Sequence, residues 1–138
     1  MTDLQQLIDR ADVTDVVMAL AALLDRRGGD PAAIYAPEVV VRGPLGELRG
    51  IEAVRARIAA SAGTTERTQH HVTGMRVTVE GDEARVQATE LVQFYEVRQV
   101  PHRMSGLFVE YLLTRRTEGW RLAEVDISLE WLIGDLPA

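Results

Sequence analysis

The chain has 138 residues, of which 46% are hydrophobic and 26% charged. This is the size and composition of one globular domain, here residues 1–138, and it excludes a disordered or fibrous protein. The formal net charge of −6 disfavours a nucleic-acid partner, because affinity for phosphate backbones depends on Lys and Arg. The absence of cysteine excludes disulfides and thiol nucleophiles.

The N-terminal residues are acidic and amphipathic, without the basic start and apolar stretch of a secretory signal. No apolar run approaches the length needed to cross a membrane. We therefore expect a soluble cytoplasmic protein that has no membrane partner.

Apolar residues at helical spacing predict two helical pieces, one at residues 4–8 and one at residues 13–24. Asp12 is the expected N-cap of the second piece, and Gly28 and Gly29 are expected to end it through left-handed backbone conformations. Asp30-Pro31 then predicts a short helix that runs to about Tyr35.

The β-branched residues 39–41 and the turn residues 43–46 predict a small hairpin that ends near Arg49. A helix is predicted from Ile51 to Ala62, with Gly63 closing it. The rest of the chain has the pattern of an antiparallel meander, with strands at about residues 68–79, 84–96, 104–117 and 120–131.

Helices followed by a meander predict an α+β fold, in which the long N-terminal helix packs on one face of a curved antiparallel sheet. The third long strand is apolar on both faces: Phe108 and Leu112 point one way, and residues 107, 109, 111 and 113 point the other. Because large exposed apolar patches are rare on monomers, we expect a homodimer formed through the sheet.

Asp25 lies at the C-terminal end of an apolar helix, where the helix dipole disfavours a carboxylate. It is either a functional residue or a surface residue offset by Arg26 and Arg27. His70 and His71 are neighbours on a strand, so only one of them can face the interior. An inward histidine beside a carboxylate suits acid–base chemistry, and the alternative is a hydrogen-bonded core histidine.

Glu110 shares a strand face with Phe108 and Leu112, which makes it either an inward carboxylate or one member of a salt bridge. His102 follows Pro101 in a strand connection and is expected to be a solvated loop residue. Trp120 and Trp131 are expected to anchor the core or the dimer edge.

The three histidines have none of the spacings of familiar metal sites, so no metal is predicted. The sequence also has no glycine-rich phosphate loop, nucleophile elbow or dinucleotide fingerprint. We therefore predict that the protein uses no cofactor.

Four segments, residues 23–27, 67–72, 79–84 and 119–124, together resemble the SnoaL-like family over almost the whole chain. This family shares the fold of nuclear transport factor two with scytalone dehydratase, ketosteroid isomerase and limonene epoxide hydrolase. The resemblance implies a curved sheet around a long helix, a conical pocket open at one end and frequent dimers through the sheet.

In the dehydratase branch, catalysis uses an Asp at the end of the first long helix and a His in a Thr-Gln-His segment. Asp25 and His70 match these positions. The dehydratase tyrosines that polarise a substrate carbonyl through water are absent, with Leu24 at one position and residues 41–43, Val-Arg-Gly, at the other. The tyrosine and protonated aspartate of a ketosteroid isomerase site have no counterpart that the sequence alone identifies.

The resulting hypothesis is a cofactor-independent lyase or isomerase acting on a small hydrophobic cyclic molecule. His70 is its general base or acid, and Asp25 orients that histidine. The expected pocket residues are Leu20, Leu24, Met75, Met104, Phe108 and Glu110. The alternatives are a non-catalytic small-molecule-binding protein and a partner-binding subunit.

Overall fold

The computed structural model describes residues 3–134, and a single helix opens the chain. Helix α1 spans Leu4–Leu24 without a break, and the Asp3 carboxylate caps it by accepting a hydrogen bond from the Gln6 N–H at 2.8 Å. The prediction of two helical pieces is therefore wrong. No glycine or proline interrupts residues 4–24, so the backbone hydrogen bonds continue through Asp12, which is an exposed interior residue of the helix.

Short elements connect α1 to the meander. A 3₁₀ turn, Pro31–Ala33, leads into strand β1, Tyr35–Gly43, which forms a hairpin with β2, Gly46–Arg49. Helix α2, Ile51–Ala62, follows and ends at Gly63 as predicted. The first strand begins earlier than its β-branched residues predict, because Tyr35 already pairs with Leu122 of the last strand.

Four long strands complete the chain: β3, Arg67–Glu80; β4, Glu83–Tyr95; β5, Arg103–Arg116; and β6, Gly119–Ile133. The six strands form one sheet in the order β2-β1-β6-β5-β4-β3. The α+β architecture predicted from the sequence is confirmed, with one difference in the sheet. The β1–β6 pairing is parallel, whereas the other four pairings are antiparallel.

The sheet bends at irregularities in its register. The β3–β4 pairing shifts between Thr73 and Arg76, where Gly74 has φ of +59°, and the β5–β6 pairing shifts twice. An extra residue at a bulge increases the local twist, and glycine adopts the required left-handed conformation at little cost. These irregularities curve the sheet around α1.

The core lies between α1 and the concave face of the sheet. Strand β4 alternates strictly, with Ala84, Val86, Ala88 and Val92 buried and the intervening positions mostly exposed. From β5, Val109, Tyr111 and Leu113 pack inward against Val13 and Val17 of α1 in the same cluster. The opposite, convex face carries Phe108, Glu110 and Leu112 by alternation along β5.

Candidate active site

The end of α1 sets the position of Asp25, which is the C-cap residue of the helix. Arg26 follows it in a left-handed conformation, with φ of +62°. The Arg27 N–H then donates to the Ala22 carbonyl at 2.8 Å, and the Arg26 N–H donates to the Leu23 carbonyl at 3.1 Å. This is the closing pattern usually made by glycine, and a residue with a Cβ adopts it at a cost of about 1–2 kcal/mol.

The Arg26 side chain supplies a compensating contact. Its guanidinium donates to the backbone carbonyl of Ser61 in the last turn of α2 and, at 3.1 Å, to that of Thr64 in the segment that joins α2 to β3. Gly28 and Gly29, which were predicted to end the helix, have positive φ but follow a helix that Arg26 has already terminated. The helix end is thus tied to the loop that leads into β3.

The Asp25 carboxylate accepts hydrogen bonds from several donors. Oδ1 lies 2.6 Å from Nδ1 of His70 and 2.9 Å from the Thr68 hydroxyl. Oδ2 accepts the backbone N–H of His70 at 2.8 Å and an Arg27 guanidinium N–H at 3.1 Å. The structure therefore brings together Asp25 and His70, the two residues singled out as catalytic candidates.

The position of β3 at the edge of the sheet explains the backbone contact. An edge strand leaves one row of its N–H and C=O groups without a neighbouring strand. Asp25 accepts one of these N–H groups, that of His70, so the carboxylate fixes both the backbone and the ring of the same residue.

The net effect of these contacts is to stabilise the ionised form of Asp25. Burial alone raises the pKa of this carboxyl, since only 2% of its side chain is exposed. The hydrogen bonds from the His70 ring, the His70 backbone and the Thr68 hydroxyl, together with the charge of His70, outweigh burial and hold the pKa below its ordinary value. This local network also offsets the unfavourable position at the helix C-terminus.

An ionised Asp25 determines which nitrogen of His70 carries the proton. The short contact at Nδ1 requires an N–H donor, so the neutral ring has its lone pair on Nε2. Nε2 has no hydrogen-bond partner among residues 3–134. His70 is thus oriented by Asp25 and has one nitrogen available to accept a proton.

The His70 side chain, 12% exposed, lines a cavity of about 340 Å³ that opens between the sheet, α2 and the β1–β2 turn. The wall is mainly apolar and includes Leu24, Leu48, Val92, Phe94, Leu107 and Ile127. Besides His70, the polar side chains of the wall are few: Ser61, Thr68, Ser105, Arg57 and Arg103. Such a cavity suits a small hydrophobic molecule with one or two polar atoms.

Two of the predicted pocket residues, Leu20 and Met75, do not line this cavity. Leu24 lines it, whereas Leu20 is buried in the core cluster, 5% exposed, and Met75 packs against that cluster from β3. Leu20 is one helical turn before Leu24 on α1.

Three other predicted pocket residues require correction. Met104, Phe108 and Glu110 all lie on the convex face of β5, on the side of the sheet opposite the cavity. Glu110 is exposed and accepts a hydrogen bond from Gln87 at 3.4 Å. Because both faces of β5 are apolar, sequence alternation separates these residues from Leu107 but does not say which set faces α1.

A buried pair that the sequence reasoning missed lies on the same concave face. Glu90 is 5% exposed and accepts a hydrogen bond from the Tyr111 hydroxyl. Burial raises the pKa of Glu90 above its ordinary value, although the Tyr111 hydroxyl and the nearby charge of His70 oppose the shift. The signal was present in β4, where Glu90 interrupts the inward series of Ala84, Val86, Ala88 and Val92.

The other two histidines have different surroundings. His71 is exposed on the far side of β3, as alternation requires. His102 lies 2.7 Å from Glu66 through Nε2, and Arg103 pairs with the same carboxylate at 3.0 Å. Neither His71 nor His102 lines the cavity in the described part of the chain.

Within residues 3–134, no three histidine or carboxylate side chains converge into a group that could hold a metal ion. No helix of this region is long and apolar enough to span a membrane.

Comparison with solved structures shows the same fold in several proteins. The Kfla4162 protein of Kribbella flavida has a TM-score of 0.82 at 19% identity, covering 92% of this chain and 94% of that chain. A putative scytalone dehydratase of Novosphingobium aromaticivorans has a TM-score of 0.81 at 14% identity, with 96% and 91% covered.

The hexachlorocyclohexane dehydrochlorinase LinA-type3 of Novosphingobium barchaimii has a TM-score of 0.79 at 16% identity, covering 99% of this chain and all of that chain. At these identities the likeness establishes the fold alone. No curated protein sequence matches the chain. The family model described as the SnoaL-like domain matches residues 5–126, and the chain therefore belongs to the SnoaL-like family.

Proposed function

We propose that this protein is a cofactor-independent lyase or isomerase that moves a proton on a small hydrophobic cyclic molecule bound in the cavity. The observation that carries the proposal is the 2.6 Å contact between Asp25 and His70 on the wall of an apolar cavity. A base with a fixed tautomer on the wall of an apolar cavity is suited to removing a proton from carbon.

The reaction begins when Nε2 of His70 accepts a proton from a ligand carbon. In the lyase form, the electron pair of that C–H bond becomes a C=C bond, and a leaving group departs from the adjacent carbon with its bonding pair. In the isomerase form, the protonated His70 returns the proton to a different carbon. Asp25 stays ionised and stabilises the imidazolium that forms in either case.

The polar groups of the cavity favour the lyase form. A dehydratase-like reaction through a ketone needs donors to its oxygen, and Leu24 and residues 41–43 replace the expected tyrosines. Ser105 supplies one hydroxyl to the cavity. An elimination in which the leaving group is itself stable as an anion needs less electrophilic assistance. Two proteins of the same fold bear names of this class, a dehydrochlorinase and a putative scytalone dehydratase.

A proton-transfer assay tests the proposal without a known substrate. The protein is incubated in D₂O with 2-tetralone, a bicyclic ketone with acidic C–H groups, and deuterium incorporation is followed by NMR. Chloride release from hexachlorocyclohexane is measured in parallel as an elimination assay. We expect catalysis in at least one assay and a loss of about 10²-fold or more in His70→Gln.

His71→Gln is the matched control, because His71 is the next residue on the same strand and is exposed on the other face. It should keep the wild-type rate. Activity that survives His70→Gln with the same rate contradicts the role of His70.

A non-catalytic binding protein is the second candidate, and the missing tyrosines favour it. In that case 2-tetralone binds in the cavity, shown by shifts in its NMR spectrum, but exchanges no faster than in buffer. Binding that tolerates His70→Gln and leaves the ligand unchanged after long incubation selects this candidate over the lyase or isomerase. A partner-binding subunit predicts neither binding nor turnover.

We also propose a homodimer formed through the convex face of the sheet. This face carries Phe108 and Leu112, and its end on β6 exposes Trp131 by 46% and Ile133 by 62%. Covering such apolar surface with a second copy removes it from water. Sedimentation at micromolar concentration should give twice the monomer mass, with Phe108→Glu reducing it to monomer. A wild-type monomer contradicts the dimer.

A further inference from the structure

We propose that the cavity recognises a ligand with an anionic head group, specifically a carboxylate, and that Arg57 of α2 binds it. This inference rests on the proposed function in one respect only, namely that the cavity binds a small hydrophobic molecule. It names the chemical class of that molecule as an apolar ring system carrying one carboxylate.

The first observation is the sign of the charges around the cavity. The ionisable side chains that line it are Arg57, Arg103 and His70, and no Asp or Glu among residues 3–134 belongs to its wall. This contrasts with the whole chain, which has 21 acidic against 15 basic residues and a formal net charge of −6. The cavity therefore attracts anions although the protein as a whole is acidic.

The second observation concerns which of these groups already has a counter-charge. His70 is paired with Asp25, and Arg103 is paired with Glu66 at 3.0 Å while its guanidinium stacks 4.1 Å from the centre of the Phe94 ring. Arg57 makes no ion pair and no hydrogen bond within residues 3–134. Arg57, an exposed residue at the edge of the cavity, is thus its one lining cation without a counter-charge among the described residues.

Arg55, two residues earlier on the same helix, shows that α2 can pair its arginines. Its guanidinium lies 3.5 Å from Glu52 and 3.9 Å from Asp30, and Arg55 is not part of the cavity wall. The difference between the two arginines is that Arg57 borders the cavity, where an incoming ligand can supply the missing anion.

The form of the guanidinium group selects a carboxylate. Two parallel N–H donors match the two oxygens of a carboxylate. Leu45 and Ile58 border the same cavity, so the body of the ligand can pack on apolar side chains while its head contacts Arg57. An amide of the same shape fills the cavity equally well but lacks the charge.

The experiment compares 2-naphthoate with 2-naphthamide, which share one ring system and differ in charge. Dissociation constants are measured by titration calorimetry or ligand NMR for wild type, Arg57→Gln and Arg55→Gln. We expect wild type to bind the naphthoate about three- to tenfold more tightly than the naphthamide. Arg57→Gln should abolish that preference and leave the affinity for the naphthamide unchanged, whereas Arg55→Gln should retain the preference.

A measurement at two pH values tests whether the attraction comes from a guanidinium. This group stays charged from pH 6 to pH 9, so a preference that depends on Arg57 is the same at both values. We expect the preference for the naphthoate to persist at pH 9. Equal binding of both compounds, a preference that survives Arg57→Gln, or one that disappears at pH 9 overturns the assignment.

The outcomes also separate this inference from the proposed function. Binding of the naphthamide as tightly as the naphthoate overturns the role of Arg57 but leaves a hydrophobic cavity that can support proton transfer. If neither compound binds wild type at millimolar concentration, the cavity is not a binding site for small hydrophobic molecules. That result contradicts both the role of Arg57 and the proposed function.

Discussion

Oδ1 of Asp25 lies 2.6 Å from Nδ1 of His70, across 45 residues of sequence. The contact joins the C-cap of α1 to the edge strand of the sheet, and Oδ2 of the same carboxylate holds the backbone N–H of His70. Any shift of the helix end relative to β3 would break both hydrogen bonds. The packing of α1 on the sheet is therefore what orients the candidate base.

Asp25→Asn should lower kcat by about 10²-fold or more with little change in KM, measured in whichever proton-transfer assay is active. The amide cannot stabilise an imidazolium as a carboxylate does, and it permits the tautomer with the proton on Nε2. Because the cavity wall is unchanged, binding of ligand is preserved. If kcat stayed at the wild-type value and only KM rose, the result would contradict a positioning role for Asp25.

The same variant has a pH signature in stability. The pKa of Asp25 in the folded protein lies below its ordinary value of 3.8, so its ionisation stabilises the fold above that pH. As the pH falls through the folded-state pKa, this contribution is lost. The difference in unfolding free energy between wild type and Asp25→Asn should therefore shrink on acidification below pH 4. Asp12→Asn, at an exposed position of α1, serves as the control.

Glu90→Gln should show the opposite pH dependence. Burial raises the pKa of Glu90 in the folded state, so the folded protein is favoured by protonation of this carboxyl. Its contribution is present below the unfolded pKa, near 4.5, and is lost as the pH rises through the folded pKa. Urea unfolding should show wild type losing stability relative to Glu90→Gln between pH 4.5 and pH 8.

Two comparisons make this test specific. Glu83→Gln changes an exposed carboxylate of the same strand and should give no such pH trend. Tyr111→Phe removes the hydroxyl that donates to Glu90 and should destabilise the fold by about 1–3 kcal/mol, because a buried acceptor loses its partner. A Glu90→Gln variant whose stability runs parallel to wild type across this range would refute the raised pKa.

Arg115→Lys should destabilise the fold by breaking a link between α1 and the β3–β4 turn. The Arg115 guanidinium binds both oxygens of buried Asp9, at 2.9 and 2.7 Å, and reaches Asp82 at 3.0 Å. It also lies 4.5 Å from the centre of the Trp120 ring. A lysine ammonium reproduces neither the bidentate contact nor the stacking, so the melting temperature should fall.

Arg85→Lys is the matched control, because Arg85 is exposed and forms an ion pair with Glu83 at 3.0 Å, worth about 1 kcal/mol or less. The Asp9 pair also predicts acid sensitivity. Arg115 lowers the pKa of Asp9 from 3.8 to about 2, so the stability that this carboxylate contributes above pH 3.8 is lost as the pH falls towards 2. An unfolding curve for Arg115→Lys that matches Arg85→Lys at neutral pH would rule out the link.

The sequence was sufficient for the elements whose pattern is local. The helical spacing of Val13, Val17 and Leu20 predicts one apolar face of a helix, and the structure buries all three side chains. The predicted break before Val13 was wrong, because a change in the apolar stripe does not stop a helix when no residue interrupts its hydrogen bonds.

Some functional residues could be identified from the sequence, whereas others became evident only in the folded structure. The sequence alone determined the α+β class, and the resemblance to a dehydratase pattern identified Asp25 and His70 as candidates. Only the tertiary structure decided that Leu107 rather than Phe108 faces the cavity, and that Arg57 borders it without an ion-pair partner among residues 3–134. The alternation of residues along a strand shows which face is buried only when the other face is polar. The packing of α1 against the sheet determines which face of β5 is buried. It also determines the contact between Asp25 and His70, which are 45 residues apart in sequence.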